Sequence, residues 1–472
     1  MITSNKKLDR RHLFVACLLS AFLITVTGCS KDSSLTNATP SGVNKAHVND
    51  HKGINKVEHV IVIYMENHSF DNLYGEFPGA NGISSATPAQ YTQIDTATGL
   101  PYVTLPWSDP SFVPTPVLPN APFEIGTLHP AGLPTRDLVH RYYQEQNQID
   151  GGRMDKFAAI SDAKGLSMGY YHTAQLPMYS VLTKDYTLCD NFFHSAFGGS
   201  FLNHMWLIAA QTPQWTSAPS SLFTTLDAHG NPILDKNLTP DGYVVNTTFT
   251  VNNPHPSTVP SSQLLPNLTF PTIGDELSAE DVSWAWYSGG WNDALAGHPG
   301  PLFQFHHQPF AYFANYADGT TAKAEHLKDE SDFNTALENG TLPDVSFIKP
   351  YGIDNEHPGY TDLLTGDNYL ADLVGRIKAS SIWKDCVIII TYDEHGGFWD
   401  HVAPPVIDRW GPGARVPGII ISPFAKQGNN HVDHTQYETA SILAFIEKRW
   451  GLAPLGTRDA AADPFTNALK WD

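Results

Sequence analysis

Four runs of apolar, largely β-branched residues punctuate the chain: HVIVIYM at 59–65, VSFIK at 345–349, CVIIITY at 386–392 and VPGIIIS at 416–422. None alternates apolar with polar as a strand with one wet face does; they read as continuous apolar strands, the pattern of a parallel sheet covered on both sides. Between them, YLADLVGRIKASSIW at 369–383 and HTQYETASILAFIEKRWG at 434–451 repeat apolar residues at three- and four-residue spacing, which predicts helices with one buried face. Alternation of strand and helix predicts an α/β fold, a central, mostly parallel sheet flanked by helices. The stretch 217–271 breaks the pattern. It is rich in Pro, Ser, Thr and Asn, and reads as a β- or loop-rich insertion near the mouth of a site.

The first thirty residues, MITSNKKLDRRHLFVACLLSAFLITVTGCS, pass from a basic start through a short apolar segment to a small-residue exit, the layout of an export signal over 1–28. The ending VTGC resembles a bacterial lipoprotein box. It predicts acylation of Cys29 and, with Ser30 next, an exported protein of the periplasm or outer membrane that meets the membrane only through that lipid. The alternative is an ordinary cleaved signal with an incidental cysteine. Arg10 and Arg11 ahead of His12, Leu13 and Phe14 form a partial twin-arginine pattern. Residues 29–57 are polar and predict a flexible tether. The remainder, 58–472, is expected to be the catalytic domain.

At 472 residues and 41% hydrophobic, the chain can bury a full core. A net charge of −20, with no basic block after the first dozen residues, argues against binding nucleic acid. Beyond the signal only Cys189 and Cys386 remain. They are able to pair in an oxidising compartment, although a small buried free thiol is the commoner reading for Cys386.

Ligands of open α/β sheets gather beyond the carboxyl ends of the strands, so the residues just after each apolar run matter most. HVIVIYM runs into Glu66 and Asn67, CVIIITY into Asp393 and Glu394, and VSFIK is followed within ten residues by Asp354, Glu356 and His357. Carboxylates and an amide brought to one sheet edge would repel unless a cation neutralised them. Adjacent strand residues face opposite ways, so both members of a pair reach one ion only if the backbone turns. Gly396 and Gly397 supply such a turn. The plainer alternatives are Asn67 as a helix N-cap and Asp393 with Glu394 as a solvated strand end.

In HSAFGGSFLNHMWLIAAQ, Ser200 follows Gly198 and Gly199 and opens an apolar helical stretch. At a helix N-terminus the dipole and free N–H groups stabilise an alkoxide and a phosphate alike. The alternative is a serine that merely caps the helix. Candidate histidines are His140, His306, His307, His357 and His401; with 21 in the chain, only their clustering promotes them.

The blocks MENHSFDNLYG, DLVHRYYQEQNQIDGGRMDKF, FGGSFLNH, NEHPGY and TYDEHGGFWDHVAPP resemble, in order, those of the bacterial phosphoesterase family of acid phosphatase A enzymes and secreted phospholipases C, in the alkaline phosphatase superfamily. The resemblance spans residues 59 to about 450. It implies an alkaline phosphatase-like fold and a phosphoserine mechanism with one divalent metal ion. Glu66, Asn67, Ser200, Asp393 and Glu394 are the implied metal ligands. Ser200 is also the implied nucleophile, and His140, His307 and His357 the groups that hold phosphoryl oxygens or protonate the leaving group. His140 is preferred to His129 because it lies inside a block; His395 has no implied role, and His401 is expected to support the carboxylates from behind.

With little positive charge in these blocks, imidazolium groups are the expected phosphate binders, and they favour an acidic optimum. Oxygen-rich ligands suit Ca²⁺, Mg²⁺, Mn²⁺ or Zn²⁺ alike. The family's phospholipases C carry extra C-terminal β domains, whereas this chain ends soon after the helix at 434–451, and Ser in FGGSFLNH points the same way. The expectation is therefore an acid phosphatase acting on phosphomonoesters. The alternatives are a phosphodiesterase or phospholipase C and, more remotely, a non-catalytic surface binding lipoprotein.

Overall fold

The apolar runs become the spine of an eight-stranded sheet. In chain order its strands are β1 (His59–Met65), β2 (Thr187–Cys189), β3 (Trp284–Ser288), β4 (Leu327–Asp329), β5 (Val345–Lys349), β6 (Cys386–Tyr392), β7 (Gly418–Ile421) and β8 (His431–Asp433). Across the sheet they run β4-β3-β5-β1-β6-β7-β2-β8. Only β7 is antiparallel to its neighbours, so the expected mostly parallel α/β sheet is what the chain forms. Every residue of β5 and β6 is buried, as a strand covered on both faces requires. The computed structural model describes residues 53–471 except 427 and 429, all within one compact unit that spans 46–472. The export signal, the twin-arginine pattern, Cys29 and most of the tether lie outside the described residues. Among the described residues no helix is long and apolar enough to cross a membrane.

Five helices matter for the site: α1 (Phe70–Tyr74), α2 (Tyr142–Ile149), α3 (Ser200–Ala209), α4 (Leu363–Ala379) and α5 (Ala440–Trp450). The two predicted from periodicity, α4 and α5, start six residues earlier and six residues later than their apolar repeats suggested, because Asp362 caps α4 and a short strand at Tyr437–Glu438 precedes α5. α3 is buried along its whole length, which explains why FLNHMWLIA carries no polar stripe.

Residues 217–271 contain a small hairpin (Thr225–Leu226 with Pro232–Leu234), single-turn 3₁₀ segments and loops. Ile54 and Val57, inside the stretch expected to be tether, are buried against the body. Cys189 and Cys386 are both buried and free, so they do not pair.

Register fixes the site. Met65 pairs with Tyr392 and Ile63 with Ile348, so β1, β6 and β5 end side by side. The residues just beyond, Glu66 and Asp393, and the last residue of β5, Lys349, therefore meet at one edge.

Candidate active site

Glu66, Asn67, Asp393 and Glu394 are all completely buried. That removes the solvated strand end as an explanation of Asp393 and Glu394. Asn67 does not cap α1 either: Ser69 does, and Asn67 adopts φ +94° at the turn out of β1. Beyond β6 the chain reverses at Gly396, where φ is +64° and a Cβ would stand 2.0 Å from Asn67 O. Only glycine fits that approach, which brings the turn that carries Glu66 and Asn67 against the one that carries Asp393 and Glu394.

Ser200 is the first residue of α3, and the N-cap position belongs to Gly199. Its hydroxyl does not cap the helix but donates to Glu66 Oε2 at 3.2 Å. A cavity of about 190 Å³ opens over it, lined among others by Glu66, His140, Ser200, His307 and His357. His140 and His357 each donate Nδ1–H to a backbone carbonyl, Leu138 O at 2.6 Å and Pro358 O at 2.7 Å. Their Nε2 atoms therefore face inward, 3.8 Å from Glu394 Oε1 and 3.8 Å from Glu66 Oε2. His307 Nε2 lies 2.7 Å from Glu66 Oε1. Glu66, His140, Ser200, His307 and His357 thus share one cavity, and Glu394 approaches it beneath His140.

Lys349 had no place among the expected site residues. Its ammonium is completely buried, 2.6 Å from Glu66 Oε1 and 3.5 Å from Asp393 Oδ2, above the ring of Tyr64. A lysine that closes the apolar run VSFIK was its only signal. His204 was also missed: one turn along α3 from Ser200, it donates to Ser200 O at 2.7 Å and stacks on His307 with ring centroids 5.3 Å apart. Tyr360, which stacks on His357 at 3.8 Å and lines the cavity, completes the omissions.

Two expectations change. His401 does not support the site carboxylates; it bonds Asp71 Oδ2 at 2.6 Å in a separate cluster around Arg415. Glu356, expected at the common edge, turns away to accept from Tyr392 OH at 2.5 Å, and burial pushes its carboxyl well up.

The electrostatics are uneven. Burial pushes the Glu66 carboxyl up, but Lys349 and then His307 outweigh it and hold it well below the usual carboxylate range. Asp393 and Glu394 go the other way: burial, reinforced by Glu66 against Asp393 and by Asp393 against Glu394, holds both well above that range. Burial also lowers two histidines of the cavity, His307 to about 4 and His357 in the same direction. In the free protein these rings are neutral near pH 7, so the positive charge beside the acids is the lysine's rather than an imidazolium's.

The model of the Phosphoesterase family matches residues 57–453. The chain belongs to the Phosphoesterase family. The phosphoesterase is 24% identical to phospholipase C B of Mycobacterium tuberculosis over 461 residues, covering 88% of this chain and 78% of that one. To the non-hemolytic phospholipase C of Pseudomonas aeruginosa it is 24% identical over 478 residues, covering 94% of this chain and 60% of that one. A Vibrio parahaemolyticus structure from the alkaline phosphatase superfamily aligns at 12% identity and a TM-score of 0.32, over 79% of this chain and 76% of that chain, too loosely to inform the chemistry.

The protein is therefore a hydrolase of phosphoester bonds, of a metal-dependent family. Its residues fit a bound cation. Asn67 Oδ1, Asp393 Oδ2 and Glu394 Oε1 are buried oxygens that accept no hydrogen bond. Unpartnered buried acceptors are costly, and two acids pushed up by burial and by neighbouring carboxylates are the ones a divalent ion would return to their charged form.

Proposed function

We propose that the phosphoesterase is an acid phosphatase that hydrolyses phosphomonoesters through a phosphoserine at Ser200. The observation that carries this reading is Ser200 Oγ itself, at the N-terminus of a buried ten-residue helix, 3.2 Å from Glu66 Oε2 and facing the histidine-lined cavity. Glu66, Asn67, Asp393, Glu394 and Ser200 Oγ would hold one divalent ion, which when bound favours the serine alkoxide and draws charge from a phosphoryl oxygen. Ser200 Oγ attacks phosphorus in line with the leaving oxygen; the P–Oγ bond forms as the ester P–O bond breaks. Free N–H groups in the first turn of α3 and the imidazole of His307 stabilise the equatorial oxygens. His140 or His357, through Nε2, gives the leaving oxygen its proton, then accepts one from the water that releases phosphate.

Burial supports an acid preference. A ring that must be protonated to act, and whose pKa is lowered by burial, carries its proton in acid. The cavity of about 190 Å³ suits a phosphoryl group with a modest leaving group, since pockets for larger ligands run from about 300 Å³ upward.

A phosphodiesterase or phospholipase C activity is the second reading, favoured by the names of the relatives above. Nitrophenyl phosphate compared with nitrophenyl phosphorylcholine separates the two. The monoester reading expects kcat/KM at least about tenfold higher for the former, and the reverse ratio would reject it. The export signal and VTGC sequence support an exported, lipid-anchored enzyme with one catalytic domain over 58–472. Release of the enzyme from membranes by Cys29→Ala tests the anchor.

A further inference from the structure

Glu145, in the first turn of α2, is completely buried and does not line the cavity. Its Oε2 accepts the backbone N–H of Gly198 at 2.5 Å, two residues before Ser200. Its Oε1 accepts the N–H of Ala414 at 2.9 Å and lies 2.9 Å from His194 Nε2 and 3.6 Å from His395 Nε2. Gly198 has φ +90°, and a Cβ there would come within 2.6 Å of Tyr142 N, so α2 grips this turn by packing as well as by the hydrogen bond. Asn203 closes the turn from the other side, donating to Ala196 O at 3.0 Å and Gly198 O at 3.2 Å. His395 directly follows Glu394; its Nδ1 donates to Phe398 O at 3.0 Å and its ring stacks on His194, centroids 5.6 Å apart. One buried carboxylate thus accepts a hydrogen bond from the turn that carries Ser200 and stands against His395 Nε2, which has no hydrogen-bond partner of its own, in the turn that carries Asp393 and Glu394.

We propose that Glu145 is a positioning residue, holding these two turns in fixed relation so that Ser200 Oγ stays aligned with the carboxylates. The proposal rests on Ser200 being the nucleophile. Glu145, His194 and His395 have donor atoms close enough together for a metal ion. Both carboxylate oxygens, however, already accept backbone N–H groups, and a closed structural site takes four protein ligands, so a hydrogen-bonded clamp describes the cluster better. Hydrogen bonds to an ionised acceptor are roughly twice as strong as neutral ones, and a nucleophile misplaced by about 1 Å costs about a hundredfold in rate.

The test compares Ser200→Ala, Glu145→Ala and Glu145→Gln in the full chain, measuring kcat and KM on nitrophenyl phosphate, bound metal by elemental analysis, and far-UV circular dichroism. Ser200→Ala should abolish turnover. Glu145→Ala should lower kcat about a hundredfold with KM within about threefold of wild type and bound metal retained. Glu145→Gln, which keeps the size and one acceptor oxygen, should recover about tenfold of that loss. The clamp is overturned if a folded Glu145 variant keeps kcat within about twofold of wild type while Ser200→Ala is dead, or if its loss of kcat follows an equal loss of metal. If Glu145→Ala does not fold, Glu145→Gln decides by the same criteria. Full turnover in Ser200→Ala would instead refute the nucleophile, and the clamp with it.

Discussion

At one end of the 393–401 segment Glu66 and Asp393 meet Lys349, with Glu394 beside Asp393; at the other, Asp71 and Asp400 meet Arg415 and His401. All of these side chains are buried, yet the second cluster is closed. Asp71 Oδ1 takes Arg415 Nη2 at 3.1 Å and Oδ2 takes His401 Nδ1 at 2.6 Å. Asp400 Oδ1 takes Arg415 Nε at 2.8 Å, while Oδ2 takes Arg415 Nη2 and the Asp71 N–H, each at 3.1 Å. The guanidinium directs its remaining donors to Asn81 O and Asp190 O. In the first cluster one ammonium faces the acids, and Asp393 Oδ2 and Glu394 Oε1 accept nothing. Asp71, Asp400 and His401 have donor atoms spaced for a metal ion, and at the other end so do Glu66, His204 and His307. Satisfaction separates them: acids that only hold a fold are fully hydrogen-bonded, and acids left short of partners are poised for a ligand.

Exchanging one residue in each cluster should separate chemistry from stability. Asp393→Asn is expected to lower kcat/KM by at least about a thousandfold while leaving stability unchanged or raised, because it removes a buried carboxyl that is costly to ionise. Arg415→Met should do the opposite, costing about 3–5 kcal/mol in urea unfolding by stranding two buried carboxylates. If Asp393→Asn unfolded the protein and Arg415→Met did not, the two clusters would have been assigned the wrong way round.

A smaller effect comes from the raised carboxyls of the open cluster. Asp393 and Glu394 sit above the usual carboxylate range, so they retain protons that surface acids have lost, and a cation must displace them. Affinity should therefore rise with pH until both are ionised and fall on acidification, by about tenfold per pH unit for each proton displaced. Calorimetric titration of metal-free protein with Mn²⁺ at about pH 5.5 and about pH 7.5 reads this directly. An affinity flat between those values would mean that the two acids are already charged without the ion.

The open cluster was visible in the sequence because its signals are local: an apolar run that ends in Asp393-Glu394, another that ends in Glu66-Asn67, a Gly-Gly turn, a serine opening a helix. Four strands of the sheet, β1, β5, β6 and β7, were legible for the same reason, as continuous apolar strands need no partner to be recognised, whereas β2, β3, β4 and β8 carry no such β-branched run. Lys349 was not legible, because a lysine after an apolar run looks the same whether it leaves for solvent or folds back over Tyr64. His204 was within reach, since one helical turn from Ser200 places it on the same face. The closed cluster was out of reach: Asp71 and His401 are 330 residues apart, and no local pattern ties them together. Glu145 lies in YYQEQNQI, where nothing distinguishes it from a solvated helix face until α2 is seen packed behind the Ser200 turn.

If Ser200 carries the phosphoryl group between the two half-reactions, that group can be caught on it. Acid-quenching the enzyme during turnover of a phosphomonoester, followed by peptide mass spectrometry, makes the capture. One phosphoryl group is expected on the peptide that contains Ser200, absent from Ser200→Ala. Phosphate on another side chain, or an unmodified Ser200 peptide under steady turnover when a fast quench should trap the intermediate, would contradict a phosphoserine mechanism at this residue.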